Sequence, residues 1–219
     1  MLFWTVSGLV MVAKPIEEVR GEKLIAPPGP IQISGPLVAP HIVGRPVVAM
    51  TLEPRADGPR WEIDFEGGEE RLADPATGQL LPRLNAAEAA KELMARYTGK
   101  AKVVEVSRVD PNAPPLELRR AMNGWRVRMS DDTHFYVDSG SGEIIAKRTS
   151  WWRLYDFMWG LHIMDLQGRE DTNNPWVISF AILSLGMVLL ALTLLPMTIR
   201  RRNGNGNGNG RKADGAATS

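Results

Sequence analysis

The chain has no cysteine among its 219 residues, which removes disulfide staples, thiolate zinc sites, iron–sulfur clusters and a thiol nucleophile together. The compartment stays open on that count, because an exported domain large enough to bury a core dispenses with disulfides. Histidine is nearly as scarce: the sequence holds three, His41, His134 and His162. A His-Glu-x-x-His zinc motif, a Gly-x-Ser-x-Gly elbow and a phosphate loop are all missing. Paired carboxylates such as Glu69 and Glu70 fall on a turn composition, where solvent keeps their acidity ordinary. The chain therefore reads as non-enzymatic, with no catalytic residue and no metal site assigned. An excess of one charge is lacking too, since 26 basic residues face 25 acidic ones, which argues against a general nucleic-acid binder.

What charge there is falls unevenly. Arg200, Arg201, Arg202, Arg211 and Lys212 follow Ile199 against Asp214 alone, so the stretch from Lys14 to Asn174 is mildly acidic and the basic character gathers at one end. The run from Trp176 to Leu195 contains no charge, and at about 1.5 Å per residue it matches the roughly 30 Å hydrocarbon core of a bilayer. Pro175 and Trp176 before it and Arg200 to Arg202 after it read as an interfacial aromatic and a cytoplasmic stop. Residues 175–199 are therefore expected to form a transmembrane helix, with the body outside the cytoplasm and the C-terminus inside. Residues 1–13 are also uncharged, but they make only roughly 20 Å of helix, too short to cross unaided. Two readings stay open for them: a signal-peptide hydrophobic region, although a basic flank is lacking, and, preferred, the outer half of a first transmembrane helix.

Residues 14–44 form a proline-rich connector, with Pro27, Pro28, Pro30, Pro36 and Pro40. Proline removes an amide donor and fixes φ, so the run from Ala26 to Pro40 is expected to be extended and to act as a spacer lifting the domain off the membrane. Residues 200–219 carry a strict Asn-Gly alternation and little to bury, and are expected to be a basic, disordered cytoplasmic tail.

The body is a duplication that aligns without a gap. Trp61 to Leu81 matches Trp125 to Ile145, with Asp74 and Asp138 thirteen positions after the tryptophans and Gly78 and Gly142 seventeen after. Trp61, Ile63, Phe65 and Trp125, Val127, Met129 alternate with period two, as strands with one buried face do. Gly67-Gly68 and Ser130-Asp131-Asp132 are turn compositions, and Asp-x-x-x-Gly closes a second hairpin, the aspartate capping and the glycine supplying positive φ. Ahead of the second copy, Asn85 and Glu88 form a capping box for a helix that runs with Ala86, Ala90, Leu93, Met94 and Tyr97 to a stop at Gly99, followed by a strand at Val103, Val104 and Val106. Ahead of the first copy only Val47, Val48 and Met50 suggest a strand. The first unit (45–83) is thus an abbreviated version of the second (84–150).

The order helix, strand, Trp-containing strand, then Phe135-Tyr136-Val137-Asp138 to Gly142-Glu143-Ile144 resembles a PepSY domain. Trp152 to Asp165, leading into a membrane helix, resembles the PepSY-associated transmembrane family of bacterial envelope proteins. The resemblance implies an α+β fold of tandem PepSY-like antiparallel β units with one clear helix, held in the bacterial inner membrane with a periplasmic or extracellular ectodomain. It implies a binding or regulatory module whose partners are the lipid bilayer and an envelope protein or a second copy. Larger members with several membrane helices take part in siderophore-iron reduction and bind haem through membrane histidines, which makes a haem b electron-transfer component the alternative. This chain departs from those members in having one complete membrane helix.

Only His162 is a candidate cofactor residue, and only under the haem alternative. It lies in the aromatic segment 151–174, with Trp151, Trp152, Tyr155, Phe157 and Trp159, a composition suited to the membrane interface. There a lone histidine serves either as a haem ligand short of its second axial partner or as one member of a polar contact. His41, among prolines, reads as a solvated loop residue. His134 aligns with Glu70 of the first copy, so a polar strand position explains it. At two aligned positions the copies differ in sign, Glu62 and Asp64 against Arg126 and Arg128, which raises a pairing of the two faces beside a simple solvated role.

Overall fold

The computed structural model describes the backbone of residues 2–205 and side chains as far as Pro196. Its body is α+β. The helices are α1 (Leu2–Val12), α2 (Ile16–Val19), α3 (Ala86–Arg96), α4 (Ser150–His162) and α5 (Pro175–Asn205). One antiparallel sheet is ordered β1 (Val47–Arg55), β2 (Gly58–Phe65), β3 (Glu70–Ala73). A second is ordered β4 (Val103–Arg108), β5 (Gly124–Met129), β6 (His134–Asp138), β7 (Ile144–Arg148).

Over their first three strands the two sheets share one register, and the ladder from β6 to β7 is matched in the first sheet by the single bridge between Ala73 and Leu80. Trp61 pairs with Ala73 and Trp125 with Val137; Asp64 pairs with Glu70 and Arg128 with His134. Each first hairpin carries a bulge at the same place, between Val47 and Ala49 and between Val103 and Glu105. In each closing turn the aspartate carboxylate accepts two amides, those of Ala76 and Thr77 for Asp74 and those of Gly140 and Ser141 for Asp138. The glycines follow at φ +70° (Gly78) and +75° (Gly142), where a side chain would be strained. Each tryptophan indole donates to a carbonyl from the chain ahead of its sheet, Val38 for Trp61 at 2.9 Å and Leu84 for Trp125 at 2.8 Å.

Period-two alternation places Val127, Met129, Phe135 and Val137 on one face of the second sheet, where Ala89 and Leu93 of α3 cover them. Tyr136 and Ala146 face the other way and are covered by Val109, Leu118 and Met122 from the long β4–β5 connection. Asn85 starts α3 as a full capping box: its side chain accepts from Ala87 and Glu88, and Glu88 accepts from the Asn85 amide at 2.8 Å. The helix stops at Arg96, ahead of the expected Gly99. Tyr97 leaves the helix for extended geometry and pairs with Ile25, while Ala26 donates to the Arg96 carbonyl at 2.8 Å and Thr98 to that of Leu24 at 3.0 Å. Gly99 has a different use, because a β-carbon there would fall 2.2 Å from the Tyr97 hydroxyl.

Those bonds also correct the spacer reading of the connector. Leu24 and Ile25 pack on the core of the second unit, and further along Val38 donates to Pro75, accepts from Trp61, and is followed by Ile42 in the core of the first. The proline run from Ala26 to Pro40 holds no helix, as expected, while ahead of it residues 14–25 hold α2 and a 3-10 turn at Glu22–Leu24. The segment is a strap across both units. It supplies to the first unit what α3 supplies to the second, which is how an abbreviated copy closes a core without a helix.

Among the described residues one helix is long and apolar enough to cross a membrane, Pro175–Pro196 within α5; α1, with 11 residues, is apolar but shorter. The backbone of α5 continues as helix to Asn205, so Arg200 to Arg202 belong to the helix and not to the tail. The expected disorder of the tail beyond Asn205 lies outside the described residues.

Candidate functional site at the helix junction

Helix α4 links the sheets to α5. Thr149 caps it, its hydroxyl accepting from the Trp152 amide at 2.9 Å. Helix α1 lies antiparallel along it, since Lys14, just past the end of α1, sits over the Trp151 ring while Trp4, near its start, meets His162. The Trp4 and His162 rings stack at 4.8 Å with 12° between planes, the Trp4 indole donates to the His162 carbonyl at 2.8 Å, and Ser7 Oγ lies 3.1 Å from His162 Nδ1. Trp4 also meets Phe180 of α5 edge-on at 5.8 Å. His162 therefore stands where three helices converge, with one ring face and one nitrogen already engaged.

On another side of α4, Asp156 is buried and bonded to two arginines. Arg119, from the β4–β5 connection, holds Oδ1, and Arg169, from the α4–α5 linker, holds Oδ2 at 2.7 Å. Both arginines sit in the left-handed region, φ +59° and +57°, which a residue with a β-carbon adopts at a cost of about 1 kcal/mol. Arg119 also lies 4.0 Å from Glu170 of the linker. The linker itself is closely held. Asp165 accepts the amides of Gly168, Glu170 and Asp171, and these, that of Asp171 foremost, keep its carboxyl below the usual range. Asn174 caps α5 by accepting from Val177 at 3.0 Å and donates to the carbonyls of Ile163 and Asp171, which ties the start of α5 to the end of α4.

His134 is more than a polar strand position. Its Nδ1 lies 2.6 Å from Glu117 Oε1, which also accepts from the Tyr136 hydroxyl at 2.6 Å, and Arg148 donates to the Glu117 backbone carbonyl. Burial works against ionising Glu117, but the bonds from His134 and Tyr136 win and hold it below the usual range, while burial followed by the Glu117 bond pushes the Tyr136 hydroxyl up. Arg153 of α4 lies 3.7 Å from Glu117 and bonds Asp132, so this network too joins the second sheet to α4. His41 is exposed beside Ile42, the residue that enters the core.

The oppositely charged aligned faces do not meet. Arg126 and Arg128 turn to Glu105 of the neighbouring strand, at 3.9 and 2.9 Å, and Glu62 is taken by Arg55. Glu62, Asp64 and Glu70 each place one carboxylate oxygen within 4.8 Å of the others, the closest approach to a metal-ligand set among the described residues. Burial, despite Arg55 and reinforced by Glu70, Glu143 and Asp64, pushes Glu62 up to about 7. The units approach closely beside this group, with a β-carbon at Gly140 falling 2.1 Å from the Glu70 carbonyl. A polar cleft of about 410 Å³ opens there, lined by Gly67, Glu70, Arg83, Arg120, Asn123 and Glu143 among others.

Of the sequence-derived candidates, His162 is placed at the helix junction, whereas Asp156, Arg119, Arg169, Glu117 and Asn174 carried no motif. Aspartate at position 156, which with Arg153 interrupts an aromatic-rich helix, was the available signal, because a carboxylate among apolar side chains needs partners. No family model, curated protein or solved structure matches the chain.

Proposed function

We propose that the protein is a PepSY-like, non-enzymatic binding or regulatory module of the bacterial envelope, with two α+β units outside the inner membrane and the C-terminus in the cytoplasm. The observation that carries this reading is the way the duplicated sheets are joined to the apolar helix: through α4, the Asp156 pairs and the Asn174 cap, and not through a slack tether. A domain that only needed tethering would require none of these buried polar contacts. The inter-unit cleft is the natural seat for a partner, since it mixes both charges and both copies line it. A reporter active only outside the cytoplasm is expected to work when inserted near Gly140 and to fail when fused after Arg202; the reverse pattern would overturn the topology.

A haem b electron-transfer role, the second reading, is motivated by His162 at the junction of α1, α4 and α5. With Ser7 at Nδ1 and Trp4 over one ring face, His162 keeps Nε2 for a metal, and what the residues around it do not supply is a second axial histidine. His134, beside Arg153 near the start of α4 and about 13 Å of helix away from residue 162, is held by Glu117. The purified full-length protein is expected to show no Soret band, and a band that disappears in His162→Ala would establish the second reading instead.

A further inference from the structure

We infer that the Arg119–Asp156–Arg169 triad is the coupling device through which a displacement of the ectodomain reaches the membrane helix. The inference rests on reading α5 as the membrane anchor. Arg119 belongs to the same β4–β5 connection whose next residues, Arg120 to Asn123, line the cleft between the units. Anything that enters the cleft and moves that connection therefore pulls on the Arg119 backbone one residue away. Arg119 holds one oxygen of Asp156 and Arg169 the other, so a single buried carboxylate joins the connection, α4 and the linker. Beyond Arg169 the path is short: the Trp159 indole donates to the Arg169 carbonyl at 3.1 Å, Asp165 gathers the linker amides, and Asn174 caps α5.

Two properties suit the triad to transmit and not merely to hold. Both arginines are kept in the left-handed region and both are bonded to the same carboxylate, so losing Asp156 removes a restraint from two strained backbones together. A buried carboxylate also tolerates the loss of a cationic partner poorly, which makes the bonded and released arrangements discrete. The surface contact between Arg119 and Glu170, with Glu170 66% exposed, runs alongside but is open to solvent.

The test is amide hydrogen exchange on the full chain in lipid bilayer discs, comparing wild type with Asp156→Asn, Arg119→Gln and Glu170→Gln. Asp156→Asn and Arg119→Gln are each expected to speed exchange by about tenfold or more in both segments, 115–122 and 165–174, while β6 keeps its protection. Glu170→Gln is expected to change either segment less than about twofold, as an exposed pair should. Acceleration confined to 115–122, or a Glu170→Gln effect as large as that of Arg119→Gln, would overturn the inference. Should Asp156→Asn also lose β6 protection, Arg119→Gln decides. Failure of the anchor reading would look different: the amides of residues 178–194 would exchange in the wild-type protein despite the bilayer.

Discussion

At the residue scale, identical turns make a sharp comparison. Gly78 and Gly142 share positive φ, so alanine at either position carries the same backbone penalty of about 1 kcal/mol. Their surroundings differ. A β-carbon at Gly142 makes ordinary contacts of 3.4 Å with Glu92 and Leu84, whereas at Gly78 it falls 2.9 Å from the Ala39 carbonyl of the strap. Gly78→Ala is therefore expected to lower the melting temperature more than Gly142→Ala, and equal losses would mean that the strap does not lie against that turn. Glu62 gives a pH signature. Its folded value, raised by burial to about 7 from an ordinary 4.5, means that the folded chain binds a proton the unfolded chain has released. Its contribution is thus fully present below 4.5 and is lost as pH climbs through 7, a change on the order of 1 kcal/mol. The drop in melting temperature between about pH 5 and about pH 7.5 should be smaller in Glu62→Gln than in wild type; parallel curves would place Glu62 in solvent. For His162→Ala the stacking on Trp4 and the Ser7 contact are both lost, and a destabilisation on the order of 1 kcal/mol is expected, seen as a shift of tryptophan emission and looser protection of α1.

At the scale of elements, the two tryptophans do equivalent work in different company. Trp61→Phe and Trp125→Phe each remove one indole bond to a preceding carbonyl, so each should cost about 1 kcal/mol in thermal melting. A loss at Trp125 alone would show the first copy to be only superficially alike. Much of this level was legible in the sequence. Period-two alternation located β2 and β5, Asn85 and Glu88 announced the start of α3, and Asp-x-x-x-Gly announced both closing turns, because each of these signals is local. The end of α3 was not legible, since Tyr97 leaves the helix to pair with Ile25, far away in sequence. The seating of Val38 and Ile42 was hidden for the same reason: proline composition reports that a segment is extended but not what it lies against.

At the scale of the whole molecule, the second sheet and its loops are joined to α4 by polar contacts between residues far apart in the chain, Arg119 with Asp156 and Arg153 with Asp132, and α4 to α5 by the shorter-range bond of Asn174 to Ile163. Nothing periodic marks such contacts, and so the candidate site was visible beforehand only at His162 and in the aromatic density around it. The strap has a further consequence, which concerns time. The first unit has every residue of its core once the chain has been made as far as Leu81, but Leu24 to Ala26 must wait for Arg96 to Thr98, a closure across 70 residues. Loop entropy makes so distant a contact a late event. During synthesis the N-terminal half of the strap is therefore the last part of the strap to dock, and until the chain has been made past the second unit α1 has neither α4 beside it nor a fixed direction in which to point.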